Sequence, residues 1–226
     1  MKLMRQNQNV LLMCLFFVVQ SSLYGQKQES GNITLEMELS PLGSEPLKIS
    51  SIKARYFFND QFSFRLGTFI GGNRNPSVMK SGEIELESVN STFDLILRPG
   101  IEKHFQGTEK LSPYVGSELY LGMAYSNQSS ESLFGANEVM TTINKSRTGS
   151  FGINLLTGAD FYFTPKVYIG LEMGFGFLRD GKGKNVTEYE NPDDPSKANT
   201  SEKGNSTQFN WGPNYQGTFR IGYHLK

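Results

Sequence analysis

Residues 148–179 read TGSFGINLLTGADFYFTPKVYIGLEMGFGFLR, and their alternation decides the fold. Taking every second residue puts Phe151, Ile153, Leu155, Thr157, Ala159, Phe161 and Phe163 on one face. After Thr164-Pro165-Lys166 the pattern resumes with Val167, Ile169, Leu171, Met173, Phe175 and Phe177. The opposite face carries Gly152, Asn154, Gly158, Asp160 and Tyr162, then Tyr168, Gly170, Glu172, Gly174 and Gly176. Side chains on a strand alternate with period two, so the stretch reads as a hairpin of two long strands. A helix would scatter the glycines through its interior at a cost of roughly 1 kcal/mol each.

The face that is not apolar is small, aromatic or acidic rather than covered in Lys and Thr. A soluble sheet exposes such polar side chains on its outer surface. Glycine and tyrosine with isolated acids suit a narrow enclosed space instead. The strands also exceed the usual length of about five or six residues. Together these features predict a barrel turned inside out, apolar toward lipid and polar toward a lumen.

The same alternation recurs along the chain. Ile33, Leu35, Met37 and Leu39 point outward, with Glu36 and Glu38 inward. Beyond a link at 41–46, Ile52, Ala54, Tyr56 and Phe58 oppose Lys53 and Arg55. Phe62, Phe64, Leu66 and Ile70 oppose Arg65, and Phe93, Leu95, Leu97 and Ile101 oppose Asp94, Arg98 and Glu102. Pro99 cannot donate to a ladder, so a bulge is expected at Pro99-Gly100. Val115, Leu119, Leu121 and Met123 oppose Glu118, and a final strand with Phe219, Ile221 and Tyr223 opposes Arg220. The reading is all-β, an eight-stranded antiparallel up-and-down transmembrane β-barrel. Its connections at 59–61, 106–112 and 164–166 are tight; those at 72–90, 127–147 and 180–208 are long, polar loops. An even strand count with short turns at one end and long loops at the other is the outer-membrane pattern.

Composition agrees. The 226 residues carry 22 basic and 22 acidic side chains, which argues against nucleic-acid binding. Residues 1–25 read as a secretory signal peptide, with Lys2 and Arg5 before the apolar run from Val10 to Val19. Residues 26–226 are then the barrel domain. The lone Cys14 falls inside the apolar run, leaving the mature chain without thiol chemistry.

The stretches ARYFFNDQFSFRLGTF, LILRPGIEKHF, LSPYVGSELYLGMAY, LTGADFYFTPKVYIGLEMGFGF and FRIGYHL resemble the small eight-stranded outer-membrane barrels of Gram-negative bacteria, the OmpA-transmembrane and OmpX type. They cover most of residues 50–225. The resemblance implies a place in the outer membrane, contact with its lipid, and delivery by the barrel-assembly machinery. It carries no shared catalytic motif. Such barrels usually finish on an aromatic residue, for which Tyr223 is the candidate here.

The candidate functional constellation is the set of inward charges. Glu36, Glu38, Asp94, Glu102, Glu118, Asp160 and Glu172 share one lumen with Lys53, Arg55, Arg65, Arg98 and Arg220. Eight strands enclose a bore that side chains can just fill, so these charges are expected to pair. The alternative is a solute pathway like that of OmpW-type channels. A third possibility is a lipid-modifying barrel. His104 and His224 lie at the short-turn ends of their strands, and no Ser-His-Asp set assembles on the outer side. Asp180, Glu190, Asp193 and Asp194 lack the spacing of a calcium-binding loop. No catalytic residue, cofactor or metal is expected. The long loops are the candidate surface for an external partner.

Overall fold

A computed structural model describes residues 29–39, 49–81, 84–134, 138–190 and 198–225. The proposed signal peptide, Cys14, the link at 41–46, Asp193 and Asp194 lie outside the described residues. The described residues form ten strands: β1 (Ile33–Leu39), β2 (Ile49–Phe57), β3 (Phe62–Ser81), β4 (Ile84–His104), β5 (Leu111–Phe134), β6 (Glu138–Tyr162), β7 (Val167–Lys182), β8 (Asn185–Glu190), β9 (Asn199–Lys203) and β10 (Ser206–His224). Eight of them close a ring in the order β1-β2-β3-β4-β5-β6-β7-β10, with β10 paired back to β1 and every pair antiparallel. The predicted barrel is therefore correct.

The predicted faces are correct too. Leu171 is 64% exposed on the outside while its neighbour Glu172 is 6% exposed within. Outward aromatics crowd both ends of the apolar band. Phe58, Phe62, Phe105 and Tyr223 stand near the short turns, and Phe93, Phe151, Phe177, Phe209 and Trp211 toward the other end. Such girdles mark where a barrel meets the two membrane interfaces.

Each short turn is tied by a side-chain oxygen, which is why so few residues suffice. Asn59 Oδ1 accepts from the amides of Gln61 and Phe62, both at 2.9 Å. Thr108 Oγ1 accepts from Leu111 N at 3.1 Å, and Thr164 Oγ1 from Lys166 N and Val167 N at 3.1 and 2.9 Å. These local bonds replace the ladder bonds that the reversing backbone cannot make.

The opposite end departs from the sequence reading. The stretches at 72–90 and 127–147 are paired strand: β3 and β4 stay in register to Ser81↔Ile84, and β5 and β6 to Phe134↔Glu138. Within 180–208, β8 continues the line of β7 after a break at Gly183-Lys184 and pairs with β6. β9 returns along β8, and β10 resumes opposite β7 at Ser206↔Lys182. The reason is that Ser, Thr and Asn on both faces satisfy a ladder in water as well as a loop does, yet show no apolar alternation. The barrel wall thus projects well beyond the apolar band.

Two smaller corrections concern irregularities. No bulge occurs at Pro99-Gly100: Leu66↔Pro99 and Arg65↔Gly100 lie in unbroken register with β3. Toward β5 the pairing skips from Leu97↔Leu121 to Gly100↔Glu118 without a shift, so the missing amide opens a gap instead. Register shifts occur instead between Glu38 and Leu39, where β1 meets β2, and between Asn214 and Thr218, where β10 slips against β7.

A barrel closed by this many ladder bonds should resist detergent until boiled. The refolded protein is expected to run at different mobilities on a denaturing gel before and after heating. Equal mobility of a refolded sample would contradict the closed ring.

Candidate functional site in the barrel lumen

Register explains how large charged side chains fit so narrow a bore. Nearly every one stands directly across from a glycine on a neighbouring strand. The pairs include Lys53↔Gly67, Arg65↔Gly100, Glu102↔Gly116, Tyr114↔Gly158, Asp160↔Gly170 and Tyr168↔Gly222. A Cβ at Gly222 would run into the Tyr168 ring, and one at Gly170 into Asp160 and Arg220. Alternating small and large residues is how small barrels fill their interiors.

The charges lie in one connected network. Arg55 reaches Glu36 at 2.5 Å, Asp160 at 2.8 Å and Glu102 at 3.0 Å. Arg65 reaches Glu172 at 2.7 Å, Glu102 at 2.8 Å and Glu118 at 3.0 Å. Arg220 pairs with Asp160 at 2.6 Å and Glu36 at 3.0 Å, and Lys53 with Glu38 at 2.5 Å and Glu172 at 3.4 Å. Arg98 closes the upper side on Glu38 and, at 3.7 Å, on Glu118. Five cations thus meet six carboxylates, and Lys53, Arg55, Arg65 and Arg220 are each at most 1% exposed.

One contact organises the rest. Arg55 and Arg65 sit directly opposite each other on β2 and β3, an arrangement that repels. The Glu102 carboxylate bridges them, one oxygen to each guanidinium.

Asp94 also points inward but stands higher, opposite Gly71 and Ala124, and forms no ion pair among the described residues. The other eleven predicted charges all join the network.

Sequence reasoning left out the residues that complete it. Tyr114 donates to Glu172 at 2.5 Å, and Tyr168 donates to Glu36 at 2.7 Å while accepting from Arg55 at 2.7 Å. Ser51 and Ser63 donate to Glu38 and Glu102. All four have inward parity, which was the available signal. Below the charges, Phe57, His104 and Tyr114 stack with centroids 5.3 and 5.1 Å apart, and Tyr162, Tyr168 and His224 form a second cluster. These rings floor the lumen at the short-turn end.

The same end brings together Ser112, His104 and Glu102. His104 Nδ1 lies 3.0 Å from Ser112 Oγ, and its Nε2 lies 3.2 Å from Glu102. The row has the order of nucleophile, base and orienting acid. Yet Ser112 is 1% exposed, and Glu102 already serves two arginines. The row continues the hydrogen-bond network of the lumenal charges. Of the calcium candidates in the described residues, Asp180 accepts from Ser150 Oγ at 2.6 Å and from Asn210 at 3.3 Å, while Glu190 belongs to β8.

Comparison with known proteins adds a single finding. Residues 42–176 match the model of the Putative OmpA-OmpF-like porin family. No curated protein matches the sequence.

Proposed function

The chain belongs to that porin family, an outer-membrane barrel family, and from this premise we propose a non-conducting barrel that strengthens the envelope and presents its projecting hairpins to partners. The observation that carries the reading is the lumenal plug. Arg55, Arg65 and Arg220 share carboxylates within the bore and have almost no exposed surface, which supports a closed lumen. The projecting wall supports the second half of the reading. From Phe69 to Ser81, β3 pairs with no strand on the side away from β4 among the described residues, its ladder with β2 ending at Ile52↔Thr68. An unpaired edge of this kind is a template for an added strand. Chemistry is not part of the proposal, since the buried Ser112 row offers a substrate no approach.

The porin family name favours a second reading, a small-solute channel. Planar-bilayer recordings separate the two when wild type is compared with a chain joining Gly183 to Gly204, which removes β8 and β9. Both proteins are expected to keep heat-modifiability and to show no steady conductance. The shortened chain alone should lose binding to envelope or external partners. Stable ion conductance by the wild type would overturn the closed-lumen reading in favour of the channel. Loss of the barrel on excision would show that β8 and β9 are part of its core.

A further inference from the structure

The outer surface carries a second, unassigned constellation at the far edge of the apolar band. Arg147 on β6 and Arg179 on β7 both point outward and are exposed. Each lies over the aromatic ring directly across the ladder. Arg147 Cζ is 5.8 Å from the Tyr125 centroid, with Tyr125↔Arg147 in register. Arg179 Cζ is 5.9 Å from the Phe209 centroid, with Phe209↔Arg179 in register. Stacking fixes each guanidinium while its edge remains open to solvent.

Between them the surface is bare. Gly149 and Gly181 face each other across β6 and β7, and a Cβ built on Gly149 would meet no heavy atom within 4 Å. Gly183, whose amide donates to the Arg147 carbonyl at 2.8 Å, extends the same floor.

The local charge balance is also uneven. Of the neighbouring lysines, Lys145 pairs with Glu188 and Lys184 with Glu202, each at 2.8 Å, while Lys182 falls on the lumenal parity of β7. Neither arginine has a carboxylate within ion-pair distance among the described residues. Two positive charges therefore stand without a paired carboxylate at this girdle: Arg179 lies directly across from Phe151 and two residues beyond Phe177, and Arg147 lies four residues beyond Phe151, in the interfacial zone that such aromatics mark. At the short-turn girdle, Lys103 lies near Phe62 and Phe105 at 5.7 and 5.9 Å.

We infer that Arg147 and Arg179 hold the phosphate groups of an outer-leaflet lipid, with the Gly149-Gly181 floor beneath its headgroup. Arginine's planar fork matches a phosphate with two parallel bonds. The two positions are offset by four residues along adjacent strands, roughly 13 Å at the rise of an extended chain. That is too far for one phosphate to bridge, so the site fits a glycolipid carrying two phosphates on a disaccharide-sized core.

The inference rests on the outer-membrane orientation proposed above, so the experiment first checks that every variant keeps heat-modifiability. Protein refolded in micelles is titrated with a bis-phosphorylated, multiply acylated disaccharide lipid, and bound lipid is read by native mass spectrometry. Arg147→Gln and Arg179→Gln should each weaken binding about fivefold, the usual contribution of one basic residue at a membrane surface. Lys103→Gln should leave it unchanged, and the mono-phosphorylated lipid should bind wild type as weakly as either single variant does. Wild-type binding by the folded double variant would overturn the inference. So would displacement of the lipid by millimolar inorganic phosphate, which would make this a site for the anion alone. A variant without heat-modifiability would report on the barrel, and Arg→Lys at the same position then repeats the measurement with charge kept.

Discussion

Arg55→Met will cost the folded barrel about 3–5 kcal/mol, the usual penalty for leaving buried partners of a charge uncompensated. Arg55 touches Glu36, Glu102 and Asp160 and also holds the Tyr168 hydroxyl. The ion-paired network already has one carboxylate more than it has cations, so losing a cation widens the imbalance. Glu102→Gln, by contrast, brings the count level, although it removes the bridge between two opposed arginines. Its cost should be the smaller of the two, and Arg55→Met combined with Asp160→Asn should recover part of the loss. Urea titration in micelles, followed by the fluorescence of the single tryptophan, Trp211, gives all three values. If Glu102→Gln proved the more damaging, bridging rather than charge balance would govern the plug. If neither mattered, the lumen would have to be hydrated enough to solvate its own charges.

Leu171→Arg will destabilise the barrel by roughly 2–4 kcal/mol, the depth-dependent cost of arginine facing the middle of the bilayer. Leu171 lies mid-strand between Ala159 and Phe219, on the lipid side of β7. Leu156→Asn is the control, because Leu156 faces the lumen at 7% exposure, opposite Gly174 and Gly116. There an amide has polar neighbours: Asn154, two residues away on the same face, already donates to Glu118 at 3.3 Å. Heat-modifiability midpoints in vesicles should rank Leu171→Arg well below Leu156→Asn. The reverse ranking would mean that the inside and outside faces have been exchanged.

The barrel and its faces were legible in the sequence because alternation is a local property. Leu171 and Glu172 declare opposite faces from their own neighbours alone. Which acid meets which base was not legible, because that depends on the stagger between strands. Nothing near Glu102 in sequence indicates that it will bridge Arg55 and Arg65. The projecting hairpins were missed for the opposite reason. In 72–90 and 127–147 both faces meet water, so pairing leaves no hydrophobic trace. The same blindness hid the start of β10, and with it Phe209 and Trp211 as girdle residues.

Glu36 on β1 and Arg220 on β10 are separated by 184 residues, yet they meet across the seam where the ring shuts. Contacts so distant along a chain form late, since a long loop must close before they repay it. The pairs β2–β3, β4–β5 and β6–β7 can zip from their short turns at once, but β1 must wait for the last strand to arrive. Until then Glu36 lacks Arg220, and the cations of β2 face an open trough. Shutting the seam therefore dehydrates acids and bases in the same event. A half-shut ring would hold charges stripped of water without their partners, so the final closure has no comfortable resting point along its way.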